Sequence, residues 1–200
     1  MERAKHIKPF TRKLTGINFD TEEVTFQEAT ILANDPSFTA WGWVVVNKQG
    51  KIIASGCLKT APESKKRRIR KSDDTTRRAS EIIQQLLRII KRYNVCYLLS
   101  ESPHGSQNAS AAVMIGLVAG IVQTLADTLN LGIEWYSEQD AKKAVLGKKA
   151  ATKSDMIEAI DRLYEVDWTG TKYIDEAVAD ALAVYSVARL QSPTLKMMGR

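Results

Sequence analysis

Four acidic residues interrupt the most apolar stretches of this chain, and they restrict how those stretches can be arranged. Asp35 follows the strand-like run Ala29–Asn34. Glu101 ends the apolar run Val95–Ser100. Glu176 and Asp180 lie in an alanine-rich segment at 175–183. A carboxylate is costly to bury unless it is paired or binds metal. Residues four apart on a helix are separated by about 40°, so Glu176 and Asp180 share a face while Asp175 points elsewhere. Ala177, Ala179, Ala181 and Ala183 are small enough to let this helix lie close to a sheet. Two strand ends and one helix converging on a point would gather carboxylates that repel one another. Bound cations make such a cluster stable when ionised, and all-oxygen ligation selects Mg²⁺ or Mn²⁺ over zinc or copper. Sites of that type hydrolyse phosphodiesters.

Hydropathy periodicity supplies the surrounding elements. Trp41–Val46 and Lys51–Leu58 read as two further strands, joined by a turn at 47–50 whose Gly50 permits positive φ; with Ala29–Asn34 they form an antiparallel meander. Ile82, Ile83, Leu86, Leu87, Ile90 and Tyr93 recur at helical spacing. Val95–Ser100 suits a strand buried on both faces. A helix over 109–129 carries Ala112, Gly116 and Gly120 at four-residue steps, so one face can approach another backbone closely, in the sheet or across a dimer. Gly132–Tyr136 is a fifth strand. Ser137 with Asp140, and Thr152 with Asp155, open two helices as capping boxes. The second of these helices directs Met156, Ile157, Ile160 and Leu163 inward, and a last helix spans 174–190. The order β-β-β-α-β-α-β-α-α-α describes an α/β domain, a mixed sheet with helices on its faces.

Charge marks two further segments. Residues 1–15 carry five basic side chains and one acid, and residues 62–78 carry eight and three, leaving the rest of a +6 chain mildly acidic. Lys65, Lys66, Arg67, Arg68, Arg70 and Lys71 form a dense run that suits a polyanion such as nucleic acid. The chain divides into a basic extension (1–28), a domain (29–192) with a basic insert (62–78), and a C-terminal tail (193–200). Cys57 and Cys96 sit in apolar runs and read as reduced core thiols of a cytoplasmic protein. The basic start, Met1–Lys13, also suits an organellar transit peptide, although it lacks serine. No secretory h-region is visible. No apolar run approaches the roughly 18 residues that span a bilayer, so no membrane contact is expected.

The segment Asp35-Pro36-Ser37-Phe38-Thr39-Ala40-Trp41-Gly42 resembles the opening signature of RuvC-type Holliday-junction resolvases, with Asp-Pro followed by Gly seven residues after the Asp. Glu101 resembles the family's second acid. Asn108, the Gly116/Gly120 spacing, Lys142 and Lys153 flanking Gly147, and Asp180-Ala181-Leu182-Ala183 match it in order and spacing, over about residues 30–190. The resemblance implies an RNase H-like fold whose five-stranded mixed sheet has three antiparallel strands, then two parallel ones, with helices on both faces. It also implies a homodimer and a Mg²⁺- or Mn²⁺-dependent endonuclease with two ions per site. Such an enzyme cuts four-way and other branched DNA to 5′-phosphate and 3′-hydroxyl ends. Asp35, Glu101, Glu176 and Asp180 would be its ligands. Lys153 would stand at the scissile phosphate, with Lys142, Lys148, Lys149, His104 and Asn108 on the DNA.

Three departures accompany the resemblance. Ala177 stands where bacterial members carry an acid, and Glu176 replaces it one residue earlier, a four-residue spacing also similar to the mitochondrial branch. His104 stands where bacterial members place an aromatic residue. The extension and insert exceed the bacterial pattern. These leave open a broader branched-DNA or flap nuclease, an RNase H-type ribonuclease, or a non-catalytic junction-binding protein. A transposase fits less well, because no separate end-recognition domain is visible.

Overall fold

The β-branched and aromatic segments pair as their periodicity implies. The computed structural model describes residues 28–64, 69–148 and 152–198. β1 (Thr30–Asp35), β2 (Ala40–Val46) and β3 (Ile52–Lys59) form the antiparallel meander, and β4 (Val95–Glu101) and β5 (Gly132–Tyr136) add parallel strands. The sheet order is β3-β2-β1-β4-β5. β1, β4 and β5 run in one direction, so their carboxyl ends share an edge, the edge where open α/β sheets hold ligands.

Both faces are covered. α1 (Lys71–Arg92) and α2 (Ala109–Leu129) pack with Leu32, Trp41, Trp43 and Leu98 on one side. On the other side lies α5 (Lys172–Gln191), flanked by α3 (Glu138–Leu146) and α4 (Lys153–Leu163), against Ile31, Ala33, Val44 and Leu99. The alanines of α5 permit close contact. A Cβ built on Gly42 would stand 1.9 Å from the Ala177 carbonyl oxygen. Since Gly42 pairs with Asp35 across β1 and β2, α5 crosses the sheet immediately behind Asp35.

Several expectations change. α1 begins at Lys71, so Arg77 and Arg78 belong to a helix and not to the basic linker. Asp73 and Asp74 in its first turn favour the N-terminus, and Arg77 pairs with Asp74 and Glu81 along the helix. Leu163 is 53% exposed because α4 ends there, while Met156 and Ile160 are buried as expected. Ser137 accepts from the Asp140 amide, but the reciprocal capping bond is present only at Thr152–Asp155. Residues 193–198 form a short helix, α6 (Pro193–Met198), where a tail was expected. The buried Ser192 hydroxyl before it donates to Glu134 at 2.8 Å and fixes its start.

α2 departs most. At 21 residues with a mean hydropathy of 1.9 it is long and apolar enough to cross a membrane, contrary to the sequence expectation, yet only 28% of that stretch is buried. Val118, Ile121, Val122, Leu125 and Ala126 face the sheet. Gly116 and Gly120 meet no other group within 4 Å of a built Cβ, so their face is not used for helix–sheet packing among the described residues. The basic extension and Lys65, Lys66, Arg67, Arg68 and Lys149 lie outside the described residues.

Candidate active site

Strand register sets the site. Asn34 pairs with Ser100 and Glu101 with Tyr136, so Asp35, Glu101 and the residues after Tyr136 emerge at neighbouring strand ends. Ser137 caps α3, and the first residue of that helix is Glu138. α5 contributes Asp180 from behind the sheet, and α4 contributes Lys153 at its own first position. Asp35, Glu101, Glu138, Lys153 and Asp180 line one cleft of about 1160 Å³. Glu138 was not anticipated. Its place depends on β5 lying beside β4, which only the fold decides.

The electrostatics are those of crowded buried carboxylates. Burial, then Asp180 and Glu138, push Asp35 from 3.8 up to about 7, against the pull of Lys153. Burial, then Asp35, Glu138 and Asp180, push Glu101 up to about 8. Asp180 is raised by burial, although Lys153 contacts it directly and pulls the other way. Lys153 loses stability as a cation through burial, but Asp180 and Asp35 more than offset this and hold its pKa above the ordinary value. Lys142 draws Glu138 below the carboxylate range through a direct ion pair.

The donor chemistry fits a hard divalent cation. Three carboxylates that favour protonation because they are buried together need positive charge to remain ionised, and one ammonium does not neutralise them. In this structure the side chains stand apart: among the described residues, no three acidic, histidine or cysteine side chains converge to hold one ion. The two observations are compatible, because repulsion acts over longer distances than ligation.

The remaining candidates divide. Glu176 does not line the cleft. Its carboxylate stands 4.0 Å from Lys172 and still acts electrostatically on Lys153. Asp175 is buried and accepts from the Thr169 amide and hydroxyl at 2.9 and 2.8 Å, so it points away as expected. His104 and Lys71 line the cleft. Asn108 caps α2 by accepting from the Ala111 amide at 3.1 Å. Arg70 pairs with Asp73 on the surface, and Lys148 is exposed. A cation that the sequence counted only as part of the insert, Arg78, lies in the cleft wall.

Comparison with known proteins agrees with this architecture. Residues 31–187 match the family described as crossover junction endodeoxyribonuclease RuvC. The chain is 23% identical over 154 residues to the protein of that name from Ehrlichia canis, covering 76% of this chain and 93% of the relative. It is 29% identical over 141 residues to that of Shewanella piezotolerans, covering 69% and 76%. In structure it is similar to T. thermophilus RuvC in complex with a Holliday junction substrate, with a TM-score of 0.62 at 20% identity over 80% of this chain and 95% of that one. The yeast mitochondrial Holliday junction resolvase Ydc2 gives a TM-score of 0.57 at 11% identity over 88% and 85%. The structural likenesses are of fold.

Proposed function

This chain belongs to the crossover junction endodeoxyribonuclease RuvC family, and from that premise we propose that it is a metal-dependent endonuclease resolving four-way and related branched DNA. The observation that carries the proposal is the convergence of Asp35, Glu101 and Asp180, from three separate elements, in one cleft with Lys153. Carboxylates held at raised pKa together are a poor choice for a passive DNA-binding surface and a good one for holding cations against phosphate.

In this reading Asp35, Glu101 and Asp180 would hold two Mg²⁺ or Mn²⁺ ions, and Glu176 would join them if released from Lys172. That pair is weak, since the lysine is 89% exposed. Bound ions supply a water of lowered pKa and neutralise charge on the leaving 3′ oxygen. Asp35, paired in register with Gly42 at the end of β1, lines the cleft with the other two acids and would be one of the residues holding the ions. Lys153 exchanges its contact with Asp180 for the scissile phosphate and stabilises the charge that develops there. Lys142, oriented by Glu138, together with Lys148 and Lys149, holds the flanking backbone. His104, at the cleft rim, stands at the branch point. The Lys65–Lys71 run holds a DNA arm.

A homodimer presents two such sites to opposing strands. The exposed small-residue face of α2, with Ala112, Gly116 and Gly120 open and Val113 63% exposed, supports that arrangement. The buried Cys57 and partly buried Cys96 are free thiols, which supports a reducing compartment such as the cytoplasm.

The test is cleavage of a mobile synthetic four-way junction, beside three-way junctions, flaps and RNA–DNA hybrids, with the products mapped on every strand. Paired symmetric nicks with Mg²⁺, absent in Asp35→Asn, are expected. Failure of the wild-type protein to cut any of these substrates in Mg²⁺ or Mn²⁺ would sink the proposal in favour of a junction-binding protein.

A further inference from the structure

The cleft is larger than the carboxylates require. Its volume of about 1160 Å³ exceeds the roughly 300–1,000 Å³ of an ordinary small-ligand pocket, and Asp35, Glu101, Glu138 and Asp180 make up only part of its lining. The rest of its lining is amphipathic: Phe38, Met114, Val118 and Trp135 are apolar, and α1 supplies Lys71, Ser72, Asp74, Thr75 and Arg78. This accounts in part for the poor burial of so apolar a helix as α2, since part of its N-terminal half borders the opening. Apolar side chains left open beside buried carboxylates are unfavourable unless something covers them.

Arg78 fixes what kind of substrate. Its Nε donates to Thr60 Oγ1 at 2.9 Å, and Nη2 donates to the Phe38 carbonyl at 3.1 Å and to Thr39 Oγ1 at 3.4 Å. The guanidinium carbon stands 4.3 Å from the centre of the Phe38 ring. Two of its nitrogens and one face are therefore committed, and no bond involves Nη1 among the described residues. A guanidinium held in one plane with an unused edge recognises phosphate better than a mobile lysine does. The surface cation Arg70, by contrast, is paired and 82% exposed.

We propose that the cleft continues beyond the carboxylates into a subsite for one unpaired nucleotide of the strand being cut, with its base against Met114, Val118 and Trp135 and its phosphate on Arg78. The subsite rests on the nuclease reading, because the acids define which strand enters. Continuity with the carboxylate site, and the cations Arg78 and Lys71 beside an Asp74 that Arg77 already engages, select a nucleotide over a lipid or a peptide. A paired base cannot leave its stack without cost, so the subsite favours positions where pairing is already broken. It thereby ties cutting to the branch point through a pocket as well as through the shape of the junction.

The experiment pairs modified junctions with two variants. An abasic residue, or a methylphosphonate, is placed singly at each position within two nucleotides of the mapped cut. On the wild-type protein, one abasic position is expected to lower kcat/KM by about tenfold, the worth of stacking a single base on protein side chains. Met114→Ala is expected to reduce that penalty to within about twofold, and Arg78→Lys to do the same for one methylphosphonate. Thermal melting confirms that both variants are folded. If the wild type cuts the unmodified junction but no abasic position near the cut costs it more than twofold, the subsite is overturned while the nuclease reading stands. Undiminished penalties in both folded variants overturn it equally. A wild type that does not cut the unmodified junction overturns the nuclease reading, and the subsite with it.

Discussion

Replacing Asp35 by Asn should make the metal-free protein more stable at alkaline pH while abolishing its function. Asp35 moves from 3.8 in the unfolded chain to about 7 in the fold. At about 1.4 kcal/mol per pH unit, keeping it ionised at pH 8 costs roughly 4 kcal/mol. That figure is an upper bound, because Asp180 and Glu101 share the same repulsion. The sign follows from proton binding: with a raised pKa the folded state binds more protons than the unfolded one. Stability from this group is therefore full below about pH 4 and is lost as pH rises through about 7. Glu101, pushed up to about 8, extends the loss in the same direction. The assay is thermal melting in EDTA at pH 5 and pH 8.5. For a chain of this size each kcal/mol is worth about 2–4 °C, so even a third of the effect moves the midpoint by several degrees. Wild type should fall further than Asp35→Asn between the two pH values, and Mg²⁺ at pH 8.5 should restore the wild type alone. Equal pH dependence in the two proteins would refute the claim that Asp35 is buried among like charges.

Other perturbations probe separate links. Gly42→Ala drives a Cβ into the Ala177 carbonyl, a backbone atom that cannot rotate away; denaturant melting should show a loss of about 3 kcal/mol or more. Lys153→Met removes the cation that contacts Asp180, and single-turnover assays should show cleavage reduced about 100-fold with junction binding retained. Glu176→Ala should raise the Mg²⁺ needed for half-maximal cleavage by about tenfold; an unchanged titration would give the fourth place to Glu138. Replacing Lys65, Lys66, Arg67 and Arg68 by Ala should flatten the salt dependence of DNA binding by about 0.9 for each phosphate no longer neutralised. A slope identical to wild type would make the run a bystander.

Asp35, Glu101 and Asp180 were readable as a set because each breaks an apolar pattern, and desolvation makes such breaks rare without a purpose. The capping pair Thr152–Asp155 was readable because it is local: two side chains and two amides within four residues decide it. Glu138 was not readable. Its place depends on which strand lies beside β4, and a carboxylate after a serine cap is ordinary for any helix N-terminus. Glu176 illustrates the converse. Helical spacing put it near Asp180 in angle, but in the fold only Asp180 lines the cleft, while Glu176 stands beside Lys172. Arg78 was hidden in a basic run until the first turns of α1 assigned it to a helix and aimed it at Phe38 and Thr60.

What the sequence determined by itself is therefore the order of strands and helices and the chemical kind of site, because periodicity and the cost of burying charge are properties of short segments. The strand order β3-β2-β1-β4-β5, the approach of Ala177 to Gly42, and the identity of the side chains that share the cleft were decided by tertiary packing. They arise from contacts between residues far apart in the chain, whose distances no local pattern encodes.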